Sequence, residues 1–209
     1  MKLKTDLLNR FKGKDMKSIH EILGIKIIRD KSSKTLKLCQ KEYIERMLKR
    51  FNMEDCNGCA TPCTTKLPEI SNESEPDKRI PYEALVGSLL WISLGTRGDI
   101  CYSVHQLSKY VKCYNNEMWT CGKRVLRYLK QTMNESLTFS SNPNSTNSEL
   151  IGYSDSSFAD DKSDRRSTYG YCIYYNQNCI SWSSKKMDSV ALSACETEFV
   201  SVATSQLLV

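Results

Sequence analysis

The sequence predicts an α+β fold in which helices come first and an antiparallel sheet with one helix comes last. Three observations point there. The apolar pattern runs at helical spacing through most of residues 40–131 and changes to strand-like runs after about residue 150. A polar stretch at 140–148, SSNPNSTNS, separates the two regimes. Hydrophobic residues make up 40% of the 209, enough for a core, so a disordered tail is excluded.

The elements follow in order. Leu3, Leu7, Leu8 and Phe11 share one helical face over residues 3–12. Residues 22–29 and 35–39 read as two strands joined by a polar hairpin turn at 30–34. Residues 40–53 form an amphipathic helix. Tyr43, Ile44, Met47, Leu48 and Phe51 line its apolar face, while Glu42/Arg46 and Glu45/Lys49 pair on the other. Residues 54–80, with Pro62, Pro68 and Pro76, are a loop. Three helices follow near 81–94, 99–111 and 117–131; Pro81 suits the first turn of one, and Asp99 can cap the next. Strands are expected at 150–154, 168–175 and 179–183, then a helix at 193–209 whose Ser193 and Glu196 form a capping-box pattern.

Charge is unevenly spread. Residues 1–60 hold 15 Lys and Arg against 8 Asp and Glu, residues 61–132 hold 10 against 7, and residues 133–209 hold 5 against 9. A basic front can meet phosphates and an acidic back can hold cations. The longest apolar run, residues 84–94, is too short to span a bilayer. The first residues lack the apolar core of a secretory signal, so the ten cysteines are expected to be mostly reduced. Nucleotide-loop, dinucleotide and zinc-protease motifs are absent.

Four groups of residues can carry chemistry. Asp155 ends a strand-like run and Glu198 lies near the start of the last helix; a strand Asp facing a helix Glu brings two hard oxygen ligands to one Mg²⁺. Phe158-Ala159-Asp160-Asp161 has the form of the aromatic-x-Asp-Asp turn of polymerases, but polar residues follow it where an apolar strand is needed. Lys123, Arg127 and Lys130 make a basic stripe, with Arg124 beside it, on a helix whose other face is Val125, Leu126 and Leu129. Such stripes meet phosphate backbones, and they are equally often a solvated face. Cys56, Cys59 and Cys63 have tight spacing, but a zinc site needs a fourth ligand, and the histidines are only His20 and His105.

Residues 180–199, ISWSSKKMDSVALSACETEF, closely resemble the ribonuclease H segment of copia-type LTR retrotransposon polyproteins, which reads ISWSSKKQ…VALSSTEAEY. Residues 152–161, GYSDSSFADD, with 164–171, DRRSTYGY, resemble that family's GYxDSDWAGDxxDRRSTxGY. This assigns 158–161 to a ribonuclease H hairpin rather than a polymerase turn. Residues 119–132 are similar to the family's WxAxKRILRYLKGT, and residues 82–100 to its LIGSLLYLxxTRPDI. Gly98 stands where the family pattern has Pro, Gln131 where it has Gly, and Cys195 where it has Thr.

The resemblance implies that residues 1–139 are the end of a reverse transcriptase palm, the thumb and the connection. It makes 140–148 a linker and 149–209 the first half of a ribonuclease H-like domain. It matches Asp155 to the first catalytic Asp and Glu198 to the catalytic Glu. It places the polymerase Asp-Asp turn before residue 1 and two further ribonuclease H aspartates after residue 209. The expected function is that of a polyprotein fragment that grips a template–primer or RNA–DNA hybrid, with Lys123, Arg124, Arg127 and Lys130 on nucleic acid. Asp155 and Glu198 then give part of a Mg²⁺ site completed elsewhere in the polyprotein, inactive in this chain alone. The alternative is a decayed or domesticated remnant that binds nucleic acid without catalysis. The expected location is cytoplasmic or nuclear, with no membrane partner.

Overall fold

The fold is seen in a computed structural model that describes residues 2–14, 17–64, 68, 75–141, 149–161 and 163–206. Helix α1 (Lys2–Arg10) carries the predicted face, and Leu3, Leu7, Leu8 and the following Phe11 are all exposed. Four antiparallel strands come next in space: β1 (Glu21–Ile22), β2 (Ile25–Asp30), β3 (Thr35–Cys39) and β4 (Leu137–Ser140), in that order. The expected single strand over 22–29 is therefore two. Leu23 and Gly24 sit at φ +52° and +77°, the pair of left-handed residues that a two-residue hairpin turn of this twist requires. An apolar Leu in a turn position hides that break from a hydrophobicity pattern. The second turn is closed by Asp30, whose carboxylate accepts from the Ser32 amide at 2.8 Å and the Ser33 hydroxyl at 2.8 Å. Those donors hold its carboxyl down to about 2.

Helix α2 (Lys41–Arg50) buries Ile44, Met47 and Leu48 as its spacing predicts. Its charges are used differently: Glu42 pairs across to Lys26 of β2 at 3.3 Å, and Arg46 lies over the Tyr43 ring. Helices α3 (Tyr82–Gly95), α4 (Cys101–Ser108) and α5 (Asn116–Gln131) close over one core with α2. Tyr82, Leu85, Leu89, Ile92, Val104, Leu107, Leu126 and Leu129 are fully buried there. Each such aliphatic side chain contributes about 1.5–3 kcal/mol on leaving water. Tyr82 donates from its hydroxyl to the Leu107 carbonyl at 2.8 Å, and burial pushes its phenol up. Asn115 caps α5 by accepting from the amides of Glu117 and Met118.

The second sheet is β5 (Leu150–Ser157), β6 (Thr168–Tyr175) and β7 (Asn178–Lys186), antiparallel throughout. Helix α6 (Ala194–Gln206) packs along β5 and burys Thr197 and Ser201 completely. Its cap is close to the predicted box. Ser193 Oγ accepts from the Glu196 amide at 3.2 Å, while Glu196 reaches back one residue further, to the Leu192 amide at 2.7 Å. Of the expected linker, 142–148 lie outside the described residues, as do 207–209 of the expected last helix. The whole is α+β. Among the described residues no helix is long and apolar enough to cross a membrane.

Candidate functional site: a carboxylate pair and a basic helix

Asp155 lies in β5 and Glu198 in α6, and both are exposed. Ser156 Oγ donates to Glu198 Oε1 at 2.9 Å and lies equally close to Thr197 Oγ1. Ser201 Oγ donates to the Asp155 carbonyl at 3.2 Å. The helix is thus held against the very residues that carry the strand carboxylate. Neighbouring strand residues leave on opposite faces, so Asp155 and the Glu198 bonded to Ser156 lie on opposite sides of β5, whose outer edge has no partner strand among the described residues. They are hard oxygen donors of the type Mg²⁺ takes. Among the described residues no group of three or more His, Cys, Asp or Glu side chains is placed to hold a metal ion.

The neighbouring acidic turn is committed elsewhere. Asp161 bonds Lys186 at 2.5 Å and pairs with Lys109, just past the end of α4, at 3.4 Å, while Lys186 also reaches Asp164 at 2.8 Å. Burial opposes the charge on Asp161, but the Lys186 and Ser163 donors and the nearby Lys109 hold its carboxyl well below the usual range. Asp160 accepts from the Thr168 hydroxyl at 2.9 Å. These carboxylates serve as structural ties.

The basic residues of α5 have partners that the sequence did not reveal. Arg124 donates to Thr61 Oγ1 at 2.8 Å, Arg127 to the Asn57 carbonyl at 2.7 Å, and Lys130 to the carbonyls of Cys56 (2.7 Å) and Glu54. Lys123 sits over the Trp119 ring at 5.9 Å. The stripe therefore holds the 54–61 loop against the helix. Its acceptors are neutral, and among the described residues none of the four cations pairs with a carboxylate. In the same loop the Cys59 thiol donates to the Thr61 and Arg124 carbonyls, and Cys56, Cys59 and Cys63 are free thiols. They form no metal-binding group among the described residues.

Sequence reasoning missed Arg97, which is only 3% exposed. Its Nε and Nη2 grip Asp99 at 2.9 and 2.7 Å, and its Nη1 donates to the Thr132 carbonyl at 3.0 Å. Tyr128 completes the cluster, with its ring under the guanidinium and its hydroxyl on Asp99 at 2.8 Å. Asp99 therefore does not cap the following helix; Ile100 is the residue at that position.

Residues 1–65 match the family model of reverse transcriptase, an RNA-dependent DNA polymerase. Over 95% of its length the chain is 36% identical to the retrovirus-related Pol polyprotein from transposon TNT 1-94 of Nicotiana tabacum, and it is 38% identical to that from transposon RE2 of Arabidopsis thaliana. It spans only 15% and 13% of those two polyproteins. An uncharacterized mitochondrial protein of Arabidopsis thaliana is 34% identical over 94% of the chain, which covers 80% of that protein. No solved structure matches the chain significantly. The protein class is thus reverse transcriptase-like. More narrowly, the chain belongs to the copia-type retrotransposon Pol polyprotein family.

Proposed function

We propose that this chain is the part of a copia-type Pol polyprotein that helps grip a template–primer or RNA–DNA hybrid and lends Asp155 and Glu198 to a Mg²⁺-dependent ribonuclease H site. In this reading residues 1–139 are the end of the palm, the thumb and the connection, and 149–209 are the start of the ribonuclease H-like domain. The observation that supports it most is the hydrogen bond from Ser156 to Glu198, which ties the helix carboxylate to the residue next to Asp155 on β5. Mg²⁺ bound there supplies charge stabilisation for the attacking and leaving oxygens of a phosphodiester. Asp155 and Glu198 would each lend a carboxylate to the site, and the rest of the metal shell would come from elsewhere in the polyprotein. The positive charge on α5 and on the basic front of the chain supplies attraction to phosphates.

The test uses the purified chain and an RNA–DNA hybrid. Binding that weakens steeply with salt, with no cleavage of the RNA strand in Mg²⁺, is the expected result. Within a polyprotein that carries this segment, Asp155→Asn should abolish RNA cleavage while hybrid binding persists. Cleavage by the isolated chain, or no affinity for the hybrid at low salt, overturns the reading.

A further inference from the structure

One family-motif residue has no place in the function above, and it departs from the family pattern. Gly98 forms the short 3-10 turn between α3 and α4, where the resembling sequences carry Pro. A Cβ at position 98 would lie 2.8 Å from Cγ of Trp182 and 2.9 Å from both Cδ1 and Cδ2. Real side chains do not approach that closely, and the atoms met belong to a rigid indole ring rather than to the far end of a flexible side chain. The same indole donates from Nε1 to the Ser93 carbonyl at the end of α3, at 2.8 Å. Trp182 lies in the middle of β7, so this one side chain joins the second sheet to the helical core.

The contact is the centre of a longer seam. Lys109, which caps the C-terminus of α4, pairs with Asp161 at 3.4 Å, with both side chains largely buried. Asn178 of β7 accepts from the Ser140 amide at 2.7 Å and donates to the Ser140 carbonyl at 3.1 Å, which links β7 to β4. Among the described residues, packing, a neutral hydrogen bond, an ion pair and an amide clasp therefore tie the second sheet and its 158–167 turn to the rest of the chain.

We propose that Gly98 is the seat on which Trp182 clamps the β5–β7 sheet to α3 and α4, so that this seam fixes where the Asp155 strand stands relative to the basic face of α5. Gly98 and Trp182 are positioning residues. The proposal concerns the chain's own geometry and holds whatever the chain binds.

Exchange of the Trp182 indole proton, followed by nuclear magnetic resonance in the full 209-residue chain, reads the seam directly. In the natural sequence it should exchange at least about tenfold more slowly than the indole proton of Trp91, which is 37% exposed; tenfold is the equilibrium factor of one hydrogen bond. Gly98→Pro should erase that protection while the backbone amides of Val125 to Leu129 keep their rates. If those amides accelerate equally, the substitution has disturbed the helical core, and Lys109→Met decides instead. That variant leaves Gly98 untouched and should speed Trp182 exchange a few-fold with α5 unchanged. A Trp182 indole as fast as that of Trp91 in the natural sequence overturns the proposal, and so does a Trp182 rate that neither variant alters.

Discussion

Arg97 is the residue whose loss should be felt most. Burial works against its charge, and the bidentate bond to Asp99 more than offsets this. Because Asp99 itself is 39% exposed, Arg97→Ala should cost about 3 kcal/mol, the low end for breaking a buried pair, read from urea unfolding. Arg97→Lys should recover little of it, because an ammonium cannot replace a planar fork. Acid dependence follows from the same group. Burial pushes the Asp99 carboxyl up, but the Arg97 and Tyr128 donors win and hold it below its ordinary value; Asp161 behaves alike. A depressed carboxyl contributes stability that is complete above its unfolded value, about 3.9, and is lost as pH falls through the folded one. The urea midpoint should thus decline most steeply below about pH 4, after a smaller decline that starts at about pH 6.5, where burial keeps His105 from taking up the proton that the unfolded chain accepts. A midpoint that rises on acidification contradicts this. None of it was legible in the sequence, because an isolated Arg after an apolar run has no periodicity, and Asp99 beside a helix start looks like a cap.

Whole elements were easier to read where one face is apolar and the other charged. Helices α2 and α5 follow from spacing alone, and their predicted faces are the buried ones. Strand β4 was not anticipated: four residues between a helix and a polar stretch are too few to show alternation. The 54–61 segment was legible as a loop but its attachment was not, because its anchors, Arg124, Arg127 and Lys130, lie some 70 positions away. Replacing Arg127 and Lys130 together with Met should release it, seen as much faster proteolysis within 54–61 while the helical circular dichroism is retained. The first hairpin invites the opposite change. Leu23 carries a left-handed φ that Asn adopts more readily, so Leu23→Asn should stabilise by about 0.5–1 kcal/mol, measured by thermal melting. At the other end of the chain, Ser193→Ala removes a cap from α6 and should cost about 1 kcal/mol.

At the scale of the molecule, the α+β class and the order of helices before the second sheet were visible in the pattern change near 140–150, and the family was visible in motifs. The pairing of Glu198 with the Asp155 strand was foreseen only as a possibility of spacing; the Ser156 and Ser201 hydroxyls that make the contact look like ordinary polar residues in sequence. The charge asymmetry also gains detail. Much of the positive charge on α5 grips a loop of the same chain, and three carboxylates of the acidic back grip lysines or a hydroxyl. Strand β4 adds a temporal consequence. It pairs with β3 across about a hundred residues of sequence, so the segment 1–65 that matches the reverse transcriptase family cannot complete its own sheet. On a ribosome adding about 5–20 residues per second, β3 waits roughly 5–20 seconds with one open edge before its last partner exists. During that interval the nascent chain offers any other extended segment a place to pair.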